Sequence, residues 1–245
     1  MRGPLDILRH LFRHFTIMKK LLFLILFIPV IGYSQHRYES WVRLNVNYWV
    51  KSNVSISLEL QNRRQSNNNR NILEEDLLFM VRPWMHYKSK SKWMISFSPI
   101  SYYRHTVLTG NNGLINEIPE IRSILGIQRN LHINKIVMRN RLWYELRLKG
   151  ISTPVEQFQT RLRLQNGLIL PICKITSDTH LNLNASNEVF VGQIRDDVGF
   201  DHNRLFSGVQ FKNKHYEVNV GYQWSRHLNN ITRHQAFLNL SFDLY

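Results

Sequence analysis

The segment Tyr216–Ser225 reads YEVNVGYQWS, and its strict alternation of apolar and polar residues decides the fold class. Successive side chains of a β-strand point to opposite faces, so a strand here has one apolar face and one polar face. Tyrosine, valine and tryptophan occupy the apolar face, while glutamate, asparagine, glutamine and serine occupy the other. The segment therefore predicts a strand that separates an apolar environment from a polar one.

The same alternation recurs in eleven segments after Gln35, and none of them shows a helical period. Each is roughly ten residues long, the length that a tilted strand needs to cross a membrane. The polar connectors between the segments are of two lengths, as in an outer-membrane barrel, which has short turns at one rim and long loops at the other. The short ones are Lys51–Asn53, Lys88–Ser91 and Asn213–His215, and the long ones are Gln65–Leu73, His105–Asn116 and Val191–His202.

This pattern predicts an all-β fold, an antiparallel transmembrane β-barrel of 10–12 strands over residues 36–245. Bacterial single-chain barrels normally have an even number of strands, so a count of eleven is unexpected. Either a strand is missing from the count, for instance within Leu168–Thr179, or one segment is not a strand. The segments with Pro83 and Pro99 are the weakest, because proline cannot donate to the ladder.

The N-terminal segment Met18–Gln35 reads MKKLLFLILFIPVIGYSQ and has the features of a secretory signal peptide. Two lysines precede an apolar run that is too short to span a bilayer. We expect export through the Sec route and cleavage next to Gln35. The junction contains no cysteine, so the segment is not a lipoprotein signal. Residues 1–17 are predicted to be an upstream extension, with Met18 as the natural start.

The formal net charge of +15 at first indicates an anionic partner. The basic residues are spread singly along the strands without a lysine or arginine block, so we predict no nucleic-acid binding. Cys173 is the single cysteine, which excludes a disulfide within the chain and a cysteine metal knuckle.

Alternation alone would also fit a soluble periplasmic β-barrel binding protein, apolar inside and polar outside. The aromatic ends of the apolar face favour the inverted, membrane arrangement, because such residues form girdles at the lipid–water interfaces. These residues are Tyr48, Tyr87, Trp93, Tyr103, Tyr144, Tyr216 and Trp224. The last strand ends at Phe242, Leu244 and Tyr245, which resemble the terminal signal read by the barrel-assembly machinery. The expected partners are this machinery and outer-membrane lipid.

Four stretches of sequence carry a family resemblance. They are ESWVRLNVNYWVKSNVSISLELQNRR (Glu39–Arg64), NASNEVFV (Asn184–Val191), NRLFSGVQFK (Asn203–Lys212) and the closing LNLSFDLY. They resemble the domain-of-unknown-function family DUF2490, small outer-membrane β-barrels found mainly in the Bacteroidota. The resemblance implies a fold and a location in the bacterial outer membrane. It implies no activity and no site residues.

Charged residues at polar-face positions are expected to form a ladder inside the barrel. They are Arg43, Glu59, Arg82, Glu120, Arg122, Arg139, Arg141, Glu145, Arg147, Arg161, Arg163, Glu188 and Arg204. One interpretation is structural, since buried charges need partners and facing strands can provide them. The other is a narrow passage that favours a small anionic solute, because arginines outnumber acids in the ladder. Both describe a non-enzymatic outer-membrane barrel of unknown specific role.

A barrel hydrolase acting on lipid or lipid A is the enzymatic alternative, and it would need a serine and a histidine on one face. Ser225 and His227 share a face near a long loop, and Ser177 lies close to His180, but neither pair resembles a known motif. Asp196, Asp197 and His202 fall in a predicted loop, where solvation explains them. Most histidines are predicted to lie at the surface: His36, His105, His132, His202, His215, His227 and His234. No catalytic residue, metal site or cofactor is predicted.

Overall fold

Eleven β-strands make up most of the chain that the computed structural model describes, namely residues 35–66, 71–109, 114–151, 156–194, 197–228 and 231–245. The strands are β1 (Gln35–Lys51), β2 (Val54–Gln65), β3 (Glu75–Lys88), β4 (Trp93–Thr109), β5 (Leu114–Ile133), β6 (Ile136–Lys149), β7 (Gln157–Lys174), β8 (His180–Ile194), β9 (Asp197–Lys212), β10 (Tyr216–His227) and β11 (Ile231–Leu244). Within these residues, no helix has the length and apolar character to cross a membrane. The predicted extension and signal peptide lie outside the described residues, apart from Gln35, which begins β1.

The strands form one closed barrel in which each strand pairs with its sequence neighbours. All consecutive pairs are antiparallel, and β1 closes the barrel by pairing with β11 in parallel, from Gln35 opposite Ile231 to Tyr48 opposite Leu244. The expectation of an even strand number was wrong. In an antiparallel series of eleven, the first and last strands run in the same direction, so they can only meet in parallel. The segment suspected of hiding a strand, Leu168–Thr179, contains the end of β7, which runs to Lys174, and the turn that follows it.

Polar side chains cross the parallel seam between β1 and β11. The Asn45 amide donates to Asn239 Oδ1 at 2.8 Å. The Asn47 amide donates to Asp243 Oδ1 at 3.0 Å, and the Trp49 indole donates to the same oxygen at 3.3 Å. These contacts supplement a backbone ladder that is slightly weaker per residue than an antiparallel one.

The two ends of the barrel differ in their connections. We call the end that carries the β1–β2, β3–β4, β5–β6, β7–β8 and β9–β10 connections the turn rim, and the opposite end the loop rim. At the turn rim, Lys92 (φ 65°) and Asn134 (φ 54°) adopt the left-handed conformation that tight turns require. Two of the predicted long loops were wrong. Strand β4 continues to Thr109 and β5 already begins at Leu114, and only residues 195–196 separate β8 from β9. Where a strand continues with polar residues on both faces, apolar and polar residues no longer alternate, and the sequence resembles a loop.

The two faces of the barrel invert the usual pattern of burial. Outward-facing Leu58, Leu142 and Val220 are 44%, 36% and 50% exposed, whereas inward-facing Glu120 and Glu145 are 0% exposed. Water-soluble proteins almost never leave so much large apolar surface exposed while burying charge. The apolar and polar faces predicted from the alternation match this division on every strand except β4.

Strand β4 departs from the predicted faces because of an irregularity at Pro99. The register with β5 shifts between Ser98 and Ser101, so β4 contains one extra residue there and the inward face passes from even-numbered to odd-numbered positions. As a result Tyr103 points inward and is 3% exposed, although it was expected in an outer aromatic girdle. Its neighbour Arg104, assigned to the polar face, lies on the outer face, where its nearest ion-pair partner is Glu117 at 3.7 Å.

Candidate functional site

The barrel interior holds all thirteen charged residues of the predicted ladder, each at an inward-facing position of its strand. The four glutamates are buried behind the arginines, and none is more than 6% exposed. Each of these carboxylates is shared by two or three basic side chains.

Glu145 on β6 is shared by three arginines. Arg161 Nη2 and Arg163 Nη1, from the neighbouring β7, each lie 2.7 Å from one of its oxygens. Arg122 on β5 approaches to 3.7 Å from the other side. Because two separate guanidinium groups donate directly to one buried carboxylate, both oxygens are satisfied, as burial of this charge requires.

Glu188 on β8 continues the network, because Arg163 also donates to its Oε1 at 2.7 Å. Arg141 and Arg204 lie 3.5 Å and 3.6 Å from the same carboxylate group. Arg163 therefore bridges Glu145 and Glu188, and links β6, β7 and β8 across the lumen side of the wall.

Glu59 on β2 forms a second cluster. Arg82 on β3 donates to both of its oxygens at 2.7 Å, and Arg43 on β1 lies 3.1 Å away. The Trp84 indole adds a fourth donor at 3.1 Å. Three neighbouring strands thus meet at one carboxylate.

Glu120 on β5 forms a third cluster toward the loop rim. Arg147 and Arg122 donate to it at 2.6 Å and 2.7 Å. His105, which was expected at the surface, lies 2.8 Å from the other oxygen of Glu120. Within the described residues, Arg139 is the one member of the predicted ladder without an ion pair, and it lies near the turn rim.

Several charged residues of the interior were missed by the sequence analysis, among them Glu39, Arg63 and Arg233. Glu39 on β1 is 1% exposed, accepts a hydrogen bond from Arg233 at 2.7 Å, and accepts another from Gln235. Arg63 on β2 faces the same region. The signal for Glu39 was present, since it lies four positions before Arg43 in the same alternating strand, but the predicted strand began at Val42.

Aromatic rings fill the spaces between the ion pairs, and the sequence analysis missed them as interior residues because they are apolar residues at polar-face positions. Trp143 lies under two guanidinium groups, with Arg141 3.9 Å and Arg163 4.5 Å from its ring centroid. Its indole also packs on Trp84, with 5.0 Å between ring centroids. Cation–π contacts of this kind stabilise arginines that have lost their water.

Two cavities lie in the interior. The loop-rim cavity has a volume of about 1190 Å³ and is bounded by Arg122, Arg147, Arg161 and other side chains near that rim. The turn-rim cavity is much smaller, about 170 Å³, and contains Arg139 and Arg141 in its wall. Arg204 contacts both. From the interior residues that line neither cavity, we group six in the middle part of the barrel as the central layer: Glu59, Arg82, Trp84, Trp143, Glu145 and Phe190.

The predictions for several histidines were wrong. His202 is 3% exposed inside the barrel, because a bulge at the end of β8 places Asp201 between the paired positions and turns His202 inward. Its ring stacks on Phe190 and on His227, with centroids 3.8 Å and 4.5 Å away. Asp201, His202 and His227 each offer one potential metal ligand, and these three atoms lie within 4.8 Å of one another.

The serine–histidine pairs considered for a hydrolase do not form a catalytic arrangement in the described part of the chain. Ser225 and His227 both line the loop-rim cavity, but no hydrogen bond joins them. Ser177 lies in the exposed turn between β7 and β8, at the opposite rim. Of the predicted loop acids, Asp197 begins β9, and Asp196 lies outside the described residues.

Fold and interior together define the class: a closed eleven-stranded β-barrel with an apolar outer face and an interior of shared ion pairs. The model of the family described as "Protein of unknown function (DUF2490)" matches residues 38–236, so the chain belongs to this family and the predicted resemblance is confirmed. None of the curated proteins matches the sequence. Among solved structures, the β-domain of the Bordetella autotransporter BrkA is similar, with a TM-score of 0.48 and 10% sequence identity over 76% of this chain and 82% of that chain.

Proposed function

We propose that the protein is a non-enzymatic β-barrel of the bacterial outer membrane, with its interior closed at mid-depth by the central layer. The single observation that carries this proposal is the apolar outer face around a charged interior. A soluble barrel that binds a ligand would need the opposite arrangement, with its polar side chains in water.

The dimensions of the outer face support a membrane span. Tyr38 and Tyr48 are both exposed on β1, ten positions apart, with Val42 exposed between them. Ten residues of strand extend about 33 Å, which becomes about 25 Å along the barrel axis at a tilt of about 40°. This is the usual height of the apolar band of an outer-membrane barrel, with aromatic residues at its borders.

The C-terminal residues support an encounter with the barrel-assembly machinery. Phe242 and Leu244 are exposed on the outer face of β11, and Tyr245 follows them at the turn rim. An apolar and aromatic strand end of this kind is accessible from outside the barrel. We propose outer-membrane lipid as the partner of the outer face and the assembly machinery as the partner of this strand end.

The closed interior favours a structural role over free passage. A solute crossing the barrel would have to displace Arg163 from both Glu145 and Glu188, and separate the Trp84 and Trp143 rings. Replacing paired, buried charges in this way is costly. Where side chains do move apart, arginines outnumber carboxylates along the path, and the passage favours anions.

The test is to purify the protein from membranes and to add it to planar bilayers and to vesicles of labelled phospholipid. We expect outer-membrane fractionation, heat-modifiable migration on gels, and no stepwise conductance from the resting protein. Recovery as a soluble periplasmic protein would refute the orientation of the barrel. Release of labelled acyl chains that depends on Ser225 would replace the proposal with the hydrolase.

A further inference from the structure

We propose that the loop-rim cavity is a binding site for a water-soluble solute that carries phosphate groups, with Arg63, Arg204 and Arg233 as its anchors. The proposal deepens the proposed function, because it assigns a ligand class to the interior of the same barrel. The ligand enters from the loop rim, since the site lies inside the barrel wall.

The first argument is the distribution of charge around the cavity. Seven basic side chains line it: Arg63, Arg122, Arg147, Lys149, Arg161, Arg204 and Arg233. Among the described residues, the acids that share this surface are Asp197 and Asp201. The glutamates that pair with these arginines, Glu39, Glu120, Glu145 and Glu188, are at most 6% exposed and lie behind them. A solute in the cavity therefore faces guanidinium groups, while the compensating carboxylates lie one layer further away.

The second argument is the state of Arg63. Its guanidinium lies flat over the Trp41 ring, 3.6 Å from the centroid. In the part of the chain that the structure describes, it forms no ion pair, and its buried Nε has no hydrogen-bond partner. The Trp41 ring occupies one face of the guanidinium, and a guanidinium stacked in this way can still donate hydrogen bonds in its own plane to an oxyanion. Arg204 lies 5.4 Å from the same ring, so two guanidinium groups are held beside one indole.

The third argument is an inward-facing histidine beside these arginines. His202 Nδ1 lies 3.1 Å from Asp201 Oδ2, while its Nε2 is buried without a hydrogen bond in the described structure. A buried polar atom without a partner is rare in folded proteins, and a phosphate oxygen in the cavity would give this nitrogen one. Ser225, which pairs with Arg204 across β9 and β10, supplies a hydroxyl to the same wall. These groups can donate hydrogen bonds to phosphate oxygens that the arginines attract.

A metal ion is the competing occupant, because Asp201, His202 and His227 are close together. The two imidazole rings are stacked at 19° with 4.5 Å between their centroids, so an ion in the plane of one ring would lie out of the plane of the other, away from its nitrogen lone pair. Arg161 lies 3.5 Å from the Asp201 carboxylate and already neutralises it. A divalent cation would also meet the uncompensated charge of Arg63, so the surroundings favour an anion.

Phosphate groups fit this site better than a single carboxylate. A phosphate offers three acceptor oxygens and close to two negative charges at neutral pH, which matches several separate guanidinium groups. At about 1190 Å³ the cavity exceeds what one inorganic phosphate fills and suits a solute of several groups.

The experiment measures equilibrium binding of radiolabelled tripolyphosphate to the full-length barrel in detergent, with heat-modifiable migration as the check of folding. Arg63→Gln should weaken binding about tenfold, the usual effect of losing one charged hydrogen-bonding partner. Arg63→Lys retains the charge but not the planar guanidinium, so its affinity should lie between those of the wild type and Arg63→Gln. Arg139→Gln is the matched control, because Arg139 also forms no ion pair in the described residues but lies in the turn-rim cavity.

Equal loss in Arg63→Gln and Arg139→Gln would overturn the site, because it would show attraction by net charge alone. A correctly folded barrel that binds no tripolyphosphate, or that binds Zn²⁺ in its place, would also overturn it while leaving the proposed function intact. Binding by a protein that fractionates as soluble would support the site and reject the proposed membrane location instead.

Discussion

The indole of Trp143 occupies the space where a side chain on Gly126 would lie. A Cβ placed on Gly126 would be 2.3 Å from Cδ1 of Trp143, and the two residues are directly paired across β5 and β6. The absence of a side chain lets the indole lie flat against the barrel wall. From there it reaches both Trp84 and the guanidinium groups above it.

Gly126→Ala should therefore destabilise the barrel by about 1–3 kcal/mol, the usual cost of overpacking a filled interior. Gly199→Ala is the matched control, because a Cβ on Gly199 would meet nothing within 4 Å. The free energy of unfolding of both variants is measured by urea unfolding in lipid vesicles, monitored by tryptophan fluorescence. If Gly126→Ala unfolds at the same urea concentration as Gly199→Ala, the packing of Trp143 against the wall is not a constraint.

A charge placed on the outer face tests the orientation of the barrel. Val220→Arg should cost about 2–4 kcal/mol, because position 220 is exposed at mid-depth and would place an arginine in lipid. Leu44, Leu58, Leu142 and Leu240 are comparable positions on the outer face. Val198→Arg, near the loop rim and 67% exposed, should cost at most about 1 kcal/mol. Folding of Val220→Arg as wild type, together with failure of Asn219→Leu, would mean that the faces are inverted.

Removal of the Glu145 charge should be more damaging than removal of an unpaired charge. Glu145→Gln leaves Arg161 and Arg163 without their shared carboxylate in a buried place, which typically costs about 3–5 kcal/mol. Arg139→Gln, which breaks no ion pair seen in the described chain, should change the free energy of unfolding little. Equal unfolding midpoints for the two variants would show that the network does not stabilise the fold.

Opening the central layer should reveal the selectivity of the interior. The double variant Glu145→Ser with Arg163→Ser removes one charge of each sign and shortens two side chains of the interior. We expect it to conduct in planar bilayers, with a reversal potential that favours anions. Adding Arg141→Glu or Arg161→Glu should weaken that preference, because both residues border the cavities. Cation preference in the double variant would contradict a positive interior.

The alternation of sequence predicted strands and faces well where a strand separates lipid-like from polar surroundings, as in Val54–Gln61. It could not predict Trp41, Trp84 or Phe190 as interior residues, since the pattern assumes that apolar side chains share one face. The bulge beside Pro99 reversed the faces of Tyr103 and Arg104, because the extra residue depends on pairing with β5. The ion-pair partners could not be predicted for the same reason, because each pairing depends on the register between strands.

The parallel seam has a consequence for the order in which the barrel assembles. Ten of the eleven strand pairs join consecutive strands and can form as local hairpins, whereas Asn45 and Asn239 meet across 194 residues. Contacts between such distant positions form slowly, because most of the chain must be ordered first. Until they form, β1 and β11 both present unpaired backbone groups, which a hydrocarbon environment strongly disfavours. Insertion and closure are therefore expected to occur as one cooperative event, in which β1 stays unpaired on one edge until β11 is in place.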